Sequence, residues 1–413
     1  MAHSPRILIG LTGAFGSGCT TAAKHLRDAL NFAFVPLSEA IRAEWRKSSQ
    51  EGPSRSQLQR LGDELRQSKH PGILVEIALG ELAASNGGTL PEAIVIDGIR
   101  NIGEIGYLRD EYGYRFTLMA ILASTDARWD RIGSAYTDKN LGRGDFIADD
   151  QRDKNEETDY GQQVELCVDR ADILLDNTSA SIGGFKAKVL EFVDLVRGKN
   201  TRSATPSEIL MNIAFSSAHS SKCIKRHVGA VVAAPNGQVV SAGYNENPLG
   251  TRPCVEEPEY QKQCFRDIVR NTHFEDMAKR GARCPVCGEP MVFAKGPPWR
   301  CQACAARKEK TNLEAYFFLD RAMNYCTAVH AEVWAILAAG ERARGSILYT
   351  TTFPCSQCAE KIVQSGITKV VFTEPYPDKF GADRLRLGKI ELQQFEGVRS
   401  SSFERIFSST KPS

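Results

Sequence analysis

The stretch from Thr327 to Cys358 constrains this chain most, because one metal ion would tie three of its side chains to a single point. It opens with His330-Ala331-Glu332 and closes with Pro354-Cys355-Ser356-Gln357-Cys358. One imidazole and two thiolates make three ligands for Zn²⁺, and a catalytic zinc site keeps its fourth tetrahedral position open for water. An ion held this way lowers the pKa of that water from 15.7 to about 7. Glu332, two residues past His330, is placed to carry a proton between the water and a substrate. The fold must therefore bring the segment around residue 330 beside residues 355–358. Ala328 to Ala339 is apolar and rich in helix formers, with Val333, Ile336 and Leu337 at helical spacing. That pattern predicts a buried helix with His330 and Glu332 in its first turn. Ser346 to Thr352 reads as a strand, and Pro354 is expected to start the next helix. Cys355 and Cys358 then share one face at a helix N-terminus, where the dipole favours thiolate.

A second cysteine pattern, Cys284-Pro285-Val286-Cys287 and Cys301-Gln302-Ala303-Cys304, sits upstream. Four thiolates fill zinc's coordination, so these residues predict a structural zinc ribbon inside an insertion of roughly Val255 to Glu314. Cys223, Cys254, Cys264 and Cys326 read as small buried thiols, with a further zinc near the first two as the alternative. Cysteine is frequent, and the sequence shows no export signal and no apolar run long enough for a bilayer, so thiols and a cytoplasmic protein without a membrane are expected. A formal charge of only +2 gives no global footprint for stable nucleic-acid binding.

Residues 6–198 alternate short apolar strands with helical patterns, which argues an α/β parallel sheet covered by helices. Strands are expected at Arg6 to Leu11, Ala93 to Asp97, Phe116 to Leu122 and Asp172 to Asp176, and helices at Thr20 to Leu30, Gln57 to Ser68, Ile73 to Ala84 and Phe185 to Val196. The first strand leads into Gly13-Ala14-Phe15-Gly16-Ser17-Gly18-Cys19-Thr20-Thr21, a phosphate-loop pattern in which Cys19 replaces the lysine. Its backbone N–H groups and Thr20 could hold a phosphate and a magnesium ion, but the cation used in phosphoryl transfer is missing. Asp97 ends its strand like a Walker-B carboxylate. Arg128, Arg131, Arg143 and Arg152 lie in a stretch resembling the lid of nucleoside monophosphate kinases. The segment 1–198 resembles that P-loop superfamily, which implies a nucleotide-binding, regulatory domain at Gly13, Gly16, Gly18, Cys19, Thr20 and Asp97. An active kinase and a merely structural Gly-rich turn are the alternatives. The polar stretch Lys199 to Ser207 is expected to be a domain boundary, with the second domain covering 207–413.

In that domain Thr205 or Ser207 can cap a helix from Glu208 to about His219. A hairpin of two strands turns at Pro235-Asn236-Gly237. Ser-x-Cys-x-x-x-x-Val-Gly-Ala-Val from Ser221, Gly243-Tyr244-Asn245-x-x-Pro-x-Gly, His330-Ala-Glu and Pro354-Cys-x-x-Cys-Ala together resemble the deoxycytidylate deaminase family over about residues 207–376. The resemblance implies a cytidine-deaminase-like α/β/α domain. It also implies Zn²⁺ on His330, Cys355 and Cys358, Glu332 as acid and base, Asn245 against the deoxyribose, and a homo-oligomer acting on a deoxycytidine nucleotide; a loop cap bonding its own backbone is the alternative for Asn245. Pairing with a kinase-like segment is similar to bacterial anti-phage dCTP deaminases. Two residues depart from the family pattern: Trp334 stands where an asparagine is usual, and Glu246 where a glycine is usual. Both leave dCMP and dCTP open as substrates. A housekeeping dCMP deaminase, a nucleotide sensor on a deaminase scaffold, and an editing enzyme for RNA or single-stranded DNA are the rival readings. The last draws on Lys295, Trp299, Arg300, Arg307, Lys308 and Lys310. Val370 to Phe372 is expected to complete the sheet, and Ser400 to Ser413 to be loosely held.

Overall fold

The computed structural model describes residues 5–48, 52–138, 141–154, 160–290, 301–306, 326–373 and 379–407. Contacts divide the chain into Met1–Asn212 with Val371–Asp378 and Leu392–Ser413, and Ile213–Val370 with Lys379–Glu391. In the first unit, apolar runs too short for helices become strands: β1 (Ile7–Thr12), β2 (Ala33–Pro36), β3 (Ala93–Asp97), β4 (Phe116–Leu122) and β5 (Ile173–Asp176). They pair in parallel in the order β5-β4-β1-β3-β2, with Ile9 opposite Val95 and Thr117. β4 is buried at every residue, as a sheet covered on both faces requires. The helices between and beside them are α1 (Cys19–Leu30), α2 (Leu37–Ser48), α3 (Arg55–Ser68), α4 (Ile73–Ser85), α5 (Ile102–Tyr112), α6 (Thr125–Ile132), α7 (Ser134–Thr137), α8 (Arg143–Lys154), α9 (Val164–Asp169) and α10 (Ile182–Val196). Leu26 of α1 and Phe185, Val189 and Val193 of α10 close one face of the sheet over Ile9, Val95 and Ile121.

The later elements are α11 (Pro206–Ala218), β6 (Gly229–Ala233), β7 (Val239–Tyr244), α12 (Phe265–Lys279), α13 (Gln302–Ala306), α14 (Ala331–Ala339), β8 (Ile347–Thr350), α15 (Ser356–Ser365), β9 (Lys369–Phe372), α16 (Lys379–Leu387), β10 (Glu391–Gln394), β11 (Gly397–Val398) and α17 (Ser400–Phe407). A second sheet runs β10-β9-β8-β6-β7, with β6 antiparallel to both β7 and β8.

Two expectations are corrected. The domain boundary expected at residues 199–207 falls instead after Asn212. Arg202 pairs with Glu191 at 3.3 Å and with buried Glu208 at 2.7 Å, so this polar stretch packs on the first unit. The C-terminal residues also belong there. β11 adds antiparallel to β5, with Val398 opposite Ile173, and Glu208 Oε1 accepts the Val398 N–H at 2.9 Å. Residues 400–407 are not loose: Ile406 is buried in the first core, with Phe403 and Phe407 packed against it. Their register is helical, with an apolar stripe that a low-complexity reading of the serines conceals. Lys295, Trp299, Arg300, Arg307, Lys308 and Lys310 lie outside the described residues.

Candidate active site

α14 is apolar, but not on the face its large residues suggest. Leu337 is 64% exposed, while Ala331, Glu332, Ala335 and Ala339 are buried. Small residues face the sheet because the helix approaches β7 closely: a Cβ added to Gly243 would lie 2.6 Å from the Ala335 nitrogen and 2.7 Å from the Ala331 oxygen. The helix also begins only at Ala331, so His330 is its N-cap in extended geometry rather than part of the first turn. Likewise α15 begins at Ser356, which makes Cys355 its N-cap and puts Cys358 in the first turn. Both shifts follow from the chain entering each helix through an extended residue. A backbone bridge between Glu246 and Val329, with N–H···O distances of 3.1 and 2.7 Å, fixes the approach to His330.

His330 Nδ1 lies 3.1 Å from Cys358 Sγ and 3.5 Å from Cys355 Sγ, and the two sulfurs are 3.7 Å apart. Tetrahedral ligands at about 2.3 Å for Zn–S and about 2.0 Å for Zn–N sit about 3.5–3.8 Å from one another; both Cys355 separations match, the His330–Cys358 pair lies closer, and the donor types suit the ion. Without metal, hydrogen bonds donated to Cys326 and Cys355 raise the His330 pKa to about 10, and the Cys358 hydrogen bond with His330 alongside lowers Cys355 to about 4. Cys355 and burial push the Cys358 thiol up. The sequence reads Cys326 only as a small buried thiol, yet its sulfur is hydrogen-bonded with this imidazole. No spacing rule could have found that contact.

Glu332 is 3% exposed, with Oε1 3.5 Å from the Thr350 hydroxyl and Oε2 3.6 Å from Cys358 Sγ. Burial raises its pKa, which favours a carboxyl able to hold and release a proton beside the metal ligands. Asn245 is also buried, but its polar groups serve backbone. Oδ1 accepts the Val228 N–H at 2.8 Å, and Nδ2 donates to the Arg226 oxygen at 2.9 Å. The structure thus gives Asn245 the work of clamping the 226–228 loop. Trp334 is half-buried on α14, and the Glu246 side chain hydrogen-bonds Tyr244.

A second cluster gathers Cys284, Cys287, Cys301 and Cys304, with Cys284–Cys304 and Cys287–Cys301 sulfurs at 3.8 and 3.6 Å. Phe274 of α12 packs on it. Such spacings suit a closed tetrahedral thiolate set.

The Gly-rich loop of the first unit borders a cleft of about 1160 Å³ reaching from Gly13–Thr21 to Leu37, Arg42, Leu58, Leu74 and Arg100. Gly13, Gly16 and Gly18 have φ of 153°, 81° and 117°, and a Cβ on Gly13 would meet the Ile121 oxygen at 2.4 Å. Thr20 donates to Asp97 Oδ2 at 2.6 Å, and burial raises the Asp97 pKa. Burial, with Asp97 adding to it, pushes the Cys19 thiol up to about 12. The four lid-like arginines part company. Arg128 is fully buried on Asp150, Arg131 sits on the loop, Arg143 pairs with Asp126 at the surface, and the Arg152 side chain lies outside the described residues.

A family model described as the cytidine and deoxycytidylate deaminase zinc-binding region matches residues 205–374. The chain is 28% identical over 233 residues to the deoxycytidylate deaminase of Schizosaccharomyces pombe, covering 56% of each. It is 28% identical over 173 residues to that of enterobacteria phage T4, covering 40% of this chain and 77% of the phage protein. The crystal structure of dCMP deaminase from cyanophage S-TIM5 in complex with dCMP and dUMP aligns over 46% of this chain and 95% of its own, at 22% identity and a TM-score of 0.27.

Proposed function

We propose, from residues 205–374 that belong to the cytidine and deoxycytidylate deaminase family, that this chain is a zinc-dependent hydrolase releasing ammonia from the cytosine of a free deoxycytidine nucleotide. The carrying observation is a buried carboxyl 3.6 Å from one of three convergent metal ligands. Zinc held by His330, Cys355 and Cys358 would supply Lewis acidity and a water made acidic near neutrality. Glu332 would take one proton from water and deliver it to N3 as the C4–O bond forms, then take a second proton from the C4 hydroxyl and hand it to the amine as the C4–N bond breaks and ammonia leaves. The α14–β7 packing excludes solvent from its carboxyl. The Cys284, Cys287, Cys301 and Cys304 set is read as a second, structural zinc site.

The first unit is read as a nucleotide-binding regulatory domain, with Gly13, Gly16, Gly18 and Thr20 on the phosphates and Asp97 with Thr20 on a magnesium ion. One chain carrying both a phosphate loop and a deaminase site supports a controlled enzyme that depletes deoxycytidine triphosphate in defence against phage, acting as a homo-oligomer. The test is ammonia release from dCMP, dCTP and CTP, with and without ATP or dTTP, beside a search for uracil in labelled oligonucleotides. Turnover of a free deoxycytidine nucleotide is expected. Turnover of oligonucleotides alone would overturn the reading.

A further inference from the structure

A carboxyl that shuttles protons must keep one of its two oxygens turned toward the reacting atoms. The outermost torsion of a glutamate is soft and roughly two-fold, so α14 by itself does not decide which oxygen of Glu332 that is. The neighbours of the two oxygens differ. Oε2 lies 3.6 Å from Cys358 Sγ, on the side of the metal ligands, and Oε1 lies 3.5 Å from the Thr350 hydroxyl. Thr350 is fully buried, and among the described residues Glu332 is the polar partner of its hydroxyl. A hydroxyl taken out of water needs such a partner, so the contact serves both groups.

The scaffold behind Thr350 is stiff. Its strand β8 lies inside the second sheet, between β9 and β6, with Thr350 opposite Ala230. The next residue ties the same strands again. The Thr351 N–H donates to the Gly229 oxygen at 3.0 Å, and Thr351 Oγ1 accepts the Gly229 N–H at 3.1 Å. A β-branched side chain on an inner strand has a restricted χ1, so the direction of the Thr350 hydroxyl is set before substrate arrives. The 3.5 Å separation is long for O–H···O, and catalytic hydrogen bonds tighten once substrate is bound.

Resting on the deaminase reading above, we propose that Thr350 is a positioning residue for the reaction: its hydroxyl donates to Oε1 of Glu332 and leaves Oε2 as the oxygen that carries protons. Oε1 can accept this bond whether the carboxyl is ionised or protonated at Oε2, so the contact survives each proton transfer.

The experiment uses the full-length, zinc-loaded protein and whichever of dCMP and dCTP it deaminates. Thr350→Val keeps the shape of the side chain and removes the hydroxyl. It should lower kcat about tenfold, in line with loss of a hydrogen bond to a charged group, and leave KM within about twofold. Zinc content should match wild type, and melting should come no earlier. Isothermal titration with tetrahydrodeoxyuridine 5′-monophosphate, an analogue of the hydrated ring, should show a matching loss of affinity, with dUMP binding unchanged. Thr350→Ser should restore kcat. In a Glu332→Gln background, Thr350→Val should cost nothing further, because a residue acting through Glu332 then has no proton carrier to orient. An unchanged kcat in Thr350→Val overturns the inference and leaves the deaminase reading intact. So does a loss that Thr350→Ser does not restore, that comes with lost zinc, or that adds in full to the loss in Glu332→Gln. If wild type deaminates no free deoxycytidine nucleotide, the deaminase reading falls and the inference falls with it.

Discussion

At the scale of single residues, the proposed deaminase site depends on how protons are shared among neighbours. Glu332 is buried and its pKa raised, so an isosteric change tests its proton chemistry apart from its packing. Glu332→Gln is expected to lower the deamination rate about 10²–10⁴-fold while zinc content stays unchanged, measured by ammonia release and metal analysis. The ligands make a separate prediction. Near pH 7 the metal-free cluster holds a protonated His330, with pKa about 10, an ionised Cys355, with pKa about 4, and a protonated Cys358. Zinc needs a neutral imidazole and two thiolates, so its uptake should release about two protons, and affinity should weaken as pH falls. Calorimetry in buffers of different ionisation enthalpy reads that number directly; zero protons would contradict the arrangement. The ligand identities and Glu332 were legible in sequence because chemistry fixes residue type and order. Cys326 beside His330 and Thr350 beside Glu332 were not, since nothing in a local pattern says which distant side chain will meet another.

At the scale of elements, what matters is how closely α14 lies on the sheet. The large residues Ile336 and Leu337 suggested the buried face, yet the helix buries alanines, because only small side chains permit its contact with β7 at Gly243. Gly243→Val should push α14 and its His330 cap away from the sheet. We expect a loss of about 1–3 kcal/mol in stability together with reduced zinc content and activity, seen by thermal unfolding and metal analysis. The strands were the most legible elements: β3 and β4 run as their apolar residues predict. Helix starts were less so. Proline at 354 suggested a helix beginning there, but the first turn waits for Ser356, so that Cys355 can stay extended and turn its sulfur toward His330.

At the scale of the whole molecule, the order of elements along the chain is not their order in space. β11 and α17 come last in sequence and complete the first unit, where Val398 is fully buried and Ile406 is 6% exposed. A chain ending after residue 395 should therefore lose about 3–6 kcal/mol from burial of these two side chains, and its first unit should melt earlier and be cleaved faster by protease. An unchanged melt would mean the tail adds no stability. Glu208 joins the same brace. Burial pushes its pKa up, but Arg202 and the Thr205 and Val398 N–H groups hold it lower overall, so its contribution weakens as pH falls. Sequence alone pointed to the convergence of His330, Cys355 and Cys358, to Glu332 beside them, to the Gly-rich turn after β1 and to the parallel strands, because each is written in residue type and short-range spacing. Tertiary structure alone decided that the tail returns to the first sheet, that Asn245 clamps a loop, and that alanines face β7. Those outcomes depend on contacts between residues far apart in the chain, such as Glu208 and Val398, 190 positions apart, and local periodicity carries no information about such pairs.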